Sequence, residues 1–217
     1  MKEAVDNCRS RDYWIVENTE YAEPSFRLRK CAGIINELTT GRACSLLDVG
    51  CGPAALRQLL SPNINYFGLD IAIHQPASYL REVDFVRDEI SFGEKRFDFV
   101  VGMGVFEYMG QWQNRKFEEI RKILNKDGKF IMSYINFGHF RRKVWPNYNN
   151  VQPIARMKQS LEEIFQVERC FPASHHWRQK QPGKYAIPAI QMRLNFDIPL
   201  VSRWLAVEYF FVCSHRK

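Results

Sequence analysis

The chain lacks any uncharged apolar run near the roughly 18 residues that a membrane-spanning helix requires. Its first residues, "MKEAVDNCRSRDYW", carry charges where a secretory signal needs an apolar centre. There is no C-x-x-C pair, and the six cysteines at 8, 31, 44, 51, 170 and 213 form no regular framework. Free thiols, rather than a disulfide scaffold, are the economical reading. Cys44, Cys51 and Cys213 stand inside apolar runs, where a thiol behaves as a small buried hydrophobe. Repeats and low-complexity tracts are absent as well. His175–His176 has no carboxylate following at ligand spacing, so no metal is expected. These absences lead to an expectation of a soluble, cytoplasmic protein with free thiols. Peripheral membrane contact and oligomeric state stay open.

What is present suits one domain with a full-sized core: 217 residues, 46% hydrophobic and 14% aromatic. A formal charge of +7 favours anionic partners. The positive residues are scattered, however, with one compact cluster at Arg141-Arg142-Lys143. A nucleic-acid face would need a broader basic stripe with stacking platforms.

Apolar runs and amphipathic stretches alternate along the chain. "SFRLRKCAGIINEL" places Leu28, Ala32, Ile35 and Leu38 on one helical face, with Ser25 as its N-cap. "CSLLDVG" reads as a buried strand. "PAALRQLL" follows as a helix with Pro53 in its first turn. "INYFGLD", "VDFVRDEI" and "RFDFVVGMG" read as strands two, three and four, the last apolar enough to be covered on both faces. A helix carrying Phe117, Ile120, Ile123 and Leu124 is expected to stop at Asp127-Gly128. "KFIMSYI", a helix from Ile154, "FQVERCF" and a closing "AVEYFFVCS" complete the pattern. The alternation predicts an α/β fold, a doubly wound and mostly parallel sheet. Residues 1–40 are expected to form an N-terminal helical cap on a single 1–217 domain. The aromatic, basic and Pro-rich stretches 136–153 and 173–205 are expected to be loop insertions that carry the binding surface.

Chemistry concentrates at the ends of the first strands. Gly50 and Gly52 form a turn that a ligand can approach closely, and G-x-G-x-x-A through Ala55 resembles a dinucleotide turn. Asp70 ends the second strand 22 residues after Asp48, a spacing at which a carboxylate accepts ribose hydroxyls. Asp88 follows the third strand, placed for the exocyclic amine of a base. Asp48 decides between ligands: a carboxylate two residues before Gly50 repels a pyrophosphate and suits a positive centre. A nicotinamide-dependent oxidoreductase is thereby disfavoured.

Asp48-Val-Gly50-Cys-Gly52-Pro-Ala54 resembles the first motif of the class I S-adenosylmethionine-dependent methyltransferases, acid-x-G-x-G-x-G, with alanine for the third glycine. Asp70 and Asp88 match the acids of the next two motifs. The stretch from Phe97 to Asn136, with its turn at Glu107, resembles the block after them. The resemblance implies a Rossmann-like, seven-stranded sheet whose last strand is antiparallel, with helices on both faces. It also implies S-adenosylmethionine as cofactor. Asp48, Gly50, Cys51 and Gly52 would lie under its methionine part, Asp70 and Ile71 at the ribose, and Asp88 and Glu89 at the adenine. Gly102, Met103 and Gly104 would line the other side near the sulfonium. Tyr13, Trp14 and Arg27 are placed to close over it from the N-terminal side. If the position of Ala54 needs a positive φ, alanine is strained there. Candidates for a general base are Glu107, His139 and the His175–His176 pair, and the residues single out none. The expected reaction is methyl transfer to O or N of a small-molecule, lipid or saccharide acceptor, one bearing an anionic group. Rival readings are a nucleic-acid methyltransferase and a non-catalytic, methyltransferase-like partner protein.

Overall fold

The alternation resolves into a twisted sheet with helices on both faces. The computed structural model describes residues 11–17, 23–85, 87–136, 152–176, 191–192, 198, 200–202 and 206–216. Its strands are β1 (Cys44–Val49), β2 (Ile64–Asp70), β3 (Leu80–Glu82), β4 (Phe97–Met103), β5 (Leu124–Ile135), β6 (Phe165–His176), β7 (Gln191–Met192) and β8 (Ala206–His215). Its helices are α1 (Arg11–Glu17), α2 (Phe26–Thr39), α3 (Gln113–Ile123) and α4 (Ile154–Glu162). In space the strands run β3-β2-β1-β4-β5-β8-β6-β7. β1 to β5 pair in parallel, and β8 inserts antiparallel between β5 and β6. Seven strands make the expected mixed sheet. The two-residue β7 adds an antiparallel eighth at the β6 edge.

Strand periodicity of two divides the core into layers. Leu47 and Val49 face a layer with Phe117 and Ile120 of α3 and Met157 and Leu161 of α4. Leu46 faces the opposite layer, with Cys31, Ile34 and Ile35 of α2. Ser25 caps α2 as expected, its hydroxyl accepting the Leu28 N–H at 3.3 Å. Ser25→Ala should lower stability by about 1 kcal/mol in denaturant unfolding, because one first-turn N–H loses its partner.

Several expectations need correction. "PAALRQLL" forms no α-helix: Ala54 takes a left-handed φ of 57°, so coiling starts only at Ala55 and yields a five-residue 3-10 turn, Ala55–Leu59. The third strand is Leu80–Glu82, just before the expected "VDFVRDEI". There the Asp84 carbonyl accepts from the N–H groups of Arg87 and Asp88, while the Asp88 carboxylate accepts the Asp84 N–H. This aspartate turn closes the chain on itself in place of a ladder. α3 ends at Ile123, ahead of Asp127-Gly128, because buried Leu124 already pairs with Phe97. Lys129 faces Phe99, so residues 125–128 bulge from β5. Finally, β6 runs on to His176, and its Ala173 is a core residue rather than the start of a loop.

No helix among the described residues is long and apolar enough to cross a membrane. The described cysteines are all unbridged. Residues 137–151, with His139 and the Arg141–Lys143 cluster, lie outside the described residues.

Candidate active site

Strand order reverses between β1 and β4, and in open α/β sheets ligands bind beside the carboxyl ends at such a point. The β1 turn holds Gly50 at φ 74°, Gly52 at φ 50° and Ala54 at φ 57°. Its backbone donors are already committed. The N–H groups of Gly50 and Cys51 both go to the Leu69 carbonyl, that of Gly52 to Asp70 Oδ2 at 2.7 Å, and that of Ala54 to the Cys51 carbonyl. Pro53 has none. A pyrophosphate would therefore find neither a free N–H between residues 50 and 54 nor an α-helix N-terminus. The dinucleotide reading fails on this geometry. The strain foreseen at Ala54 is present. Ala54→Gly should change stability by less than about 1 kcal/mol, relief of φ offsetting the lost methyl and the added chain entropy. Ala54→Val should cost about 2 kcal/mol in the same unfolding assay, since a β-branched residue at positive φ is a true outlier.

Asp70 is 6% exposed, and its carboxylate is fixed by two backbone donors, Gly52 N–H on Oδ2 and Ala72 N–H at 3.0 Å on Oδ1. It stands at the carboxyl end of β2, beside the β1 bend, with Ile71 half-buried next to it. Asp48 lies on the same side of the sheet and is only 2% exposed. It faces inward: the Tyr66 hydroxyl donates to its Oδ2 at 2.8 Å. Burial pushes the Asp48 carboxyl up to about 7, with the Tyr66 bond opposing and the charge of Asp70 adding. Cys51 packs against Gly68 beneath the turn. Asp88 and Glu89 are exposed. Their loop is moored to α3, where buried Lys116 donates to the Asp88 carbonyl and pairs with Glu119, which in turn accepts the Ile90 N–H.

The glycines of β1 and β4 make room for the protein's own atoms. A Cβ at Gly50 would meet Val105 Cγ2 at 2.8 Å, so the β1 and β4 turns touch there. A Cβ at Gly104 would collide with the Arg27 guanidinium, whose Nη1 comes nearest that turn. Gly102 is likewise backed by Phe106, and Met103 ends β4 with its carbonyl 3.4 Å from Arg27 Nη1. Arg27 comes from the first turn of α2 and forms a 2.6 Å ion pair with Glu208 of β8. Glu107, on the 3-10 turn Phe106–Tyr108, is 3% exposed and accepts the Ile135 N–H at 2.9 Å. Burial pushes its carboxyl up to about 7, and Arg27 opposes this. Burial alone would loosen the Arg27 proton, but attraction to Glu208 and Glu107 outweighs it and raises the pKa.

α1 crosses above these turns. Arg11 Nε reaches Glu82 Oε1 at 2.8 Å at the end of β3, and Trp14 stacks edge-on with Tyr108 at 5.1 Å past β4. β2 and β1 lie between those anchors in the sheet. Tyr13 meets Trp14 edge-on as well. His175 and His176 sit in β6, paired with Met192 and Gln191 of β7. Among the described residues no group of three or more His, Cys, Asp or Glu is arranged to hold a metal.

Sequence reading missed Tyr66 and Glu208. Each carries a polar group on the strand face toward the α2 layer, beside the apolar Ile64 in β2 and Phe210 and Val212 in β8. That exception to the pattern was the available signal.

A family model described as a methyltransferase domain matches residues 21–180. No curated protein matches the chain in sequence. Among solved structures, an S-adenosylmethionine-dependent methyltransferase from Clostridium acetobutylicum is 10% identical over 94% of this chain and 97% of its own, with a TM-score of 0.63. A chain from the complex between the Haloferax volcanii Trm112 methyltransferase activator and the putative methyltransferase is 16% identical over 95% and 96%, also at 0.63. The N-methyltransferase NodS of Bradyrhizobium japonicum, with S-adenosyl-L-homocysteine, is 13% identical over 90% and 89%, at 0.57. At these identities the neighbours attest the fold, and the family match spans well over half of the chain. The chain thus belongs to the methyltransferase domain family and is an enzyme that draws its methyl group from S-adenosylmethionine.

Proposed function

We propose that the chain methylates an oxygen or nitrogen of a small-molecule, lipid or saccharide acceptor, and that the donor lies across the carboxyl ends of β1, β2 and β4. One observation supports this placement most: the buried Asp70 carboxylate is locked by Gly52 and Ala72 beside a bend with no N–H left for phosphate. Such a site fits a ribose joined to an uncharged or cationic group and rejects a diphosphate. Asp70 would hold the ribose and the 50–54 turn the methionyl part. The exposed Asp88 and Glu89 would face the adenine, and Gly102 to Gly104 would face the sulfonium. Bound there, the donor supplies a methyl group already activated on sulfur. The chain then has to align the acceptor and exclude water, tasks in which proximity gives large rate gains. α1, bridging Glu82 and Tyr108, is the covering element of the 1–40 cap. The 136–153 and 173–205 segments are the acceptor side, and the mixed aromatic and basic residues of the former suit an acceptor with an anionic group.

Calorimetry with S-adenosylhomocysteine should give a dissociation constant between about 1 μM and 1 mM, the range of ordinary substrate affinities. Methyl-labelled donor offered with phenols, amines, sugars, quinone-like lipids and RNA should label at least one of the first four classes and not the last. Folded protein that ignores the ligand at millimolar concentration would end this reading. Labelling of RNA alone would end its acceptor half.

A further inference from the structure

We propose that a second binding site lies beside the β1 turn, a cavity between Arg57, Tyr79 and the face of β2 that takes a small carboxylate with a compact apolar body. The site is separate from the donor placement above and does not depend on it.

The chain leaves part of this sheet face uncovered in two places. After β1, the left-handed φ of Ala54 confines coiling to the 3-10 turn Ala55–Leu59, and between β2 and β3 residues 71–79 form no helix. What remains is a cavity of about 310 Å³, at the small end of the range for ligand sites. Buried Ile64 and Tyr66 of β2 line it, together with Pro53, Ala54 and Leu60. The Tyr66 hydroxyl is committed to Asp48 at 2.8 Å, so this residue offers the cavity its ring. The other polar side chains of the lining are Arg57, Gln58, Ser61 and Tyr79. Among the described residues, none of these four makes an ion pair or a side-chain hydrogen bond.

Charge then selects the ligand. No Asp or Glu is among the lining residues, so Arg57 supplies the one formal charge and the cavity attracts an anion. A guanidinium presents paired N–H groups that match the two oxygens of a carboxylate. The Arg57 guanidinium already lies over the Tyr79 ring, 4.6 Å from its centroid, and this cation–π contact holds it at the cavity before any ligand arrives. A side chain ordered in advance loses less freedom on binding. Gln58, Ser61 and Tyr79 add neutral donors, and the proline, alanine, leucine and isoleucine surfaces favour a ligand with an apolar body over a bare ion.

The test is an amide NMR titration of the whole chain with benzoate, its uncharged counterpart benzamide, and inorganic phosphate. Benzoate should shift the signals of Arg57 and Tyr79 with a dissociation constant of about 1–10 mM, as suits so few atoms. Benzamide lacks the charge and phosphate lacks the body, so each should bind about tenfold more weakly or worse. Arg57→Gln, at an exposed position, should lose benzoate about tenfold while S-adenosylhomocysteine affinity stays within about twofold. Benzoate should also bind when S-adenosylhomocysteine is present. Equal binding of benzamide would overturn the role of Arg57, and equal binding of phosphate would reduce the site to an adventitious ion only. Displacement of benzoate by S-adenosylhomocysteine, or no shift at Arg57 and Tyr79 up to about 50 mM, would overturn the site itself.

Discussion

Asp70→Asn is expected to weaken S-adenosylhomocysteine about 100-fold and to lower unfolding stability by about 2 kcal/mol. The native carboxylate accepts two backbone N–H groups, one from the turn after β1 and one from the residues just after β2. An amide offers one oxygen and turns an NH2 toward the other N–H, so one buried donor is stranded. The same change removes the acceptor proposed for the ribose hydroxyls, and bonds to charged groups contribute about 1.5–3 kcal/mol each. Asp88→Asn is the control. Asp88 is exposed and belongs to a loop held by Lys116 and Glu119, so its loss should weaken the ligand less than about fivefold. Equal effects at the two positions would mean that Asp70 serves only the turn.

Asp48→Asn is expected to stabilise the free protein by about 2–3 kcal/mol at pH 8 and by little at pH 4. Burial raises the folded-state Asp48 carboxyl to about 7, above its unfolded value. Between roughly pH 4 and 7 the folded protein therefore holds a proton that the unfolded chain has released. Stability from this group is full below the unfolded pKa and is lost as pH rises through the folded one. Glu107 acts in the same direction and window. Asp98 and Glu168, whose carboxyls are held below their usual range despite partial burial, act only in more acidic solution. Melting measured from pH 5 to 8 should fall with pH in the wild type, and Asp48→Asn should remove about half of that slope. The Asn carbonyl can still accept the Tyr66 hydroxyl, so the gain is not offset by a lost partner. A destabilised variant at pH 8 would show that the Asp48 charge is compensated by groups other than Tyr66.

The sheet was legible because its strands are long and apolar: "CSLLDV", "FDFVVGM" and "YFFVC" admit few other readings. α2 was legible through one serine and a spacing of three and four residues. The misplaced elements are those that local composition cannot decide. Ala54 looks like a helix former until its φ is known, and that φ is imposed by the turn, whose Gly52 donates to Asp70. "VDFVRDEI" has strand residues at Val83 and Phe85, both buried, yet two aspartates four apart close a turn between them. Leu124 reads as the end of a helical stripe, but Phe97, distant in sequence, draws it into β5. In the site, acids at strand ends could be counted from the sequence, while their direction could not. Only tertiary structure turns Asp48 down onto Tyr66, or brings Arg27, Glu107 and Glu208 together from α2, the turn after β4 and β8.

A crystal structure with S-adenosylhomocysteine tests the central claim most directly. Both ribose hydroxyls should lie about 3 Å from the Asp70 carboxylate, with the thioether between the 50–54 turn and Gly104. A ligand seated elsewhere on the sheet, or an Asp70 carboxylate bonded only to Gly52 and Ala72 in the complex, would contradict it.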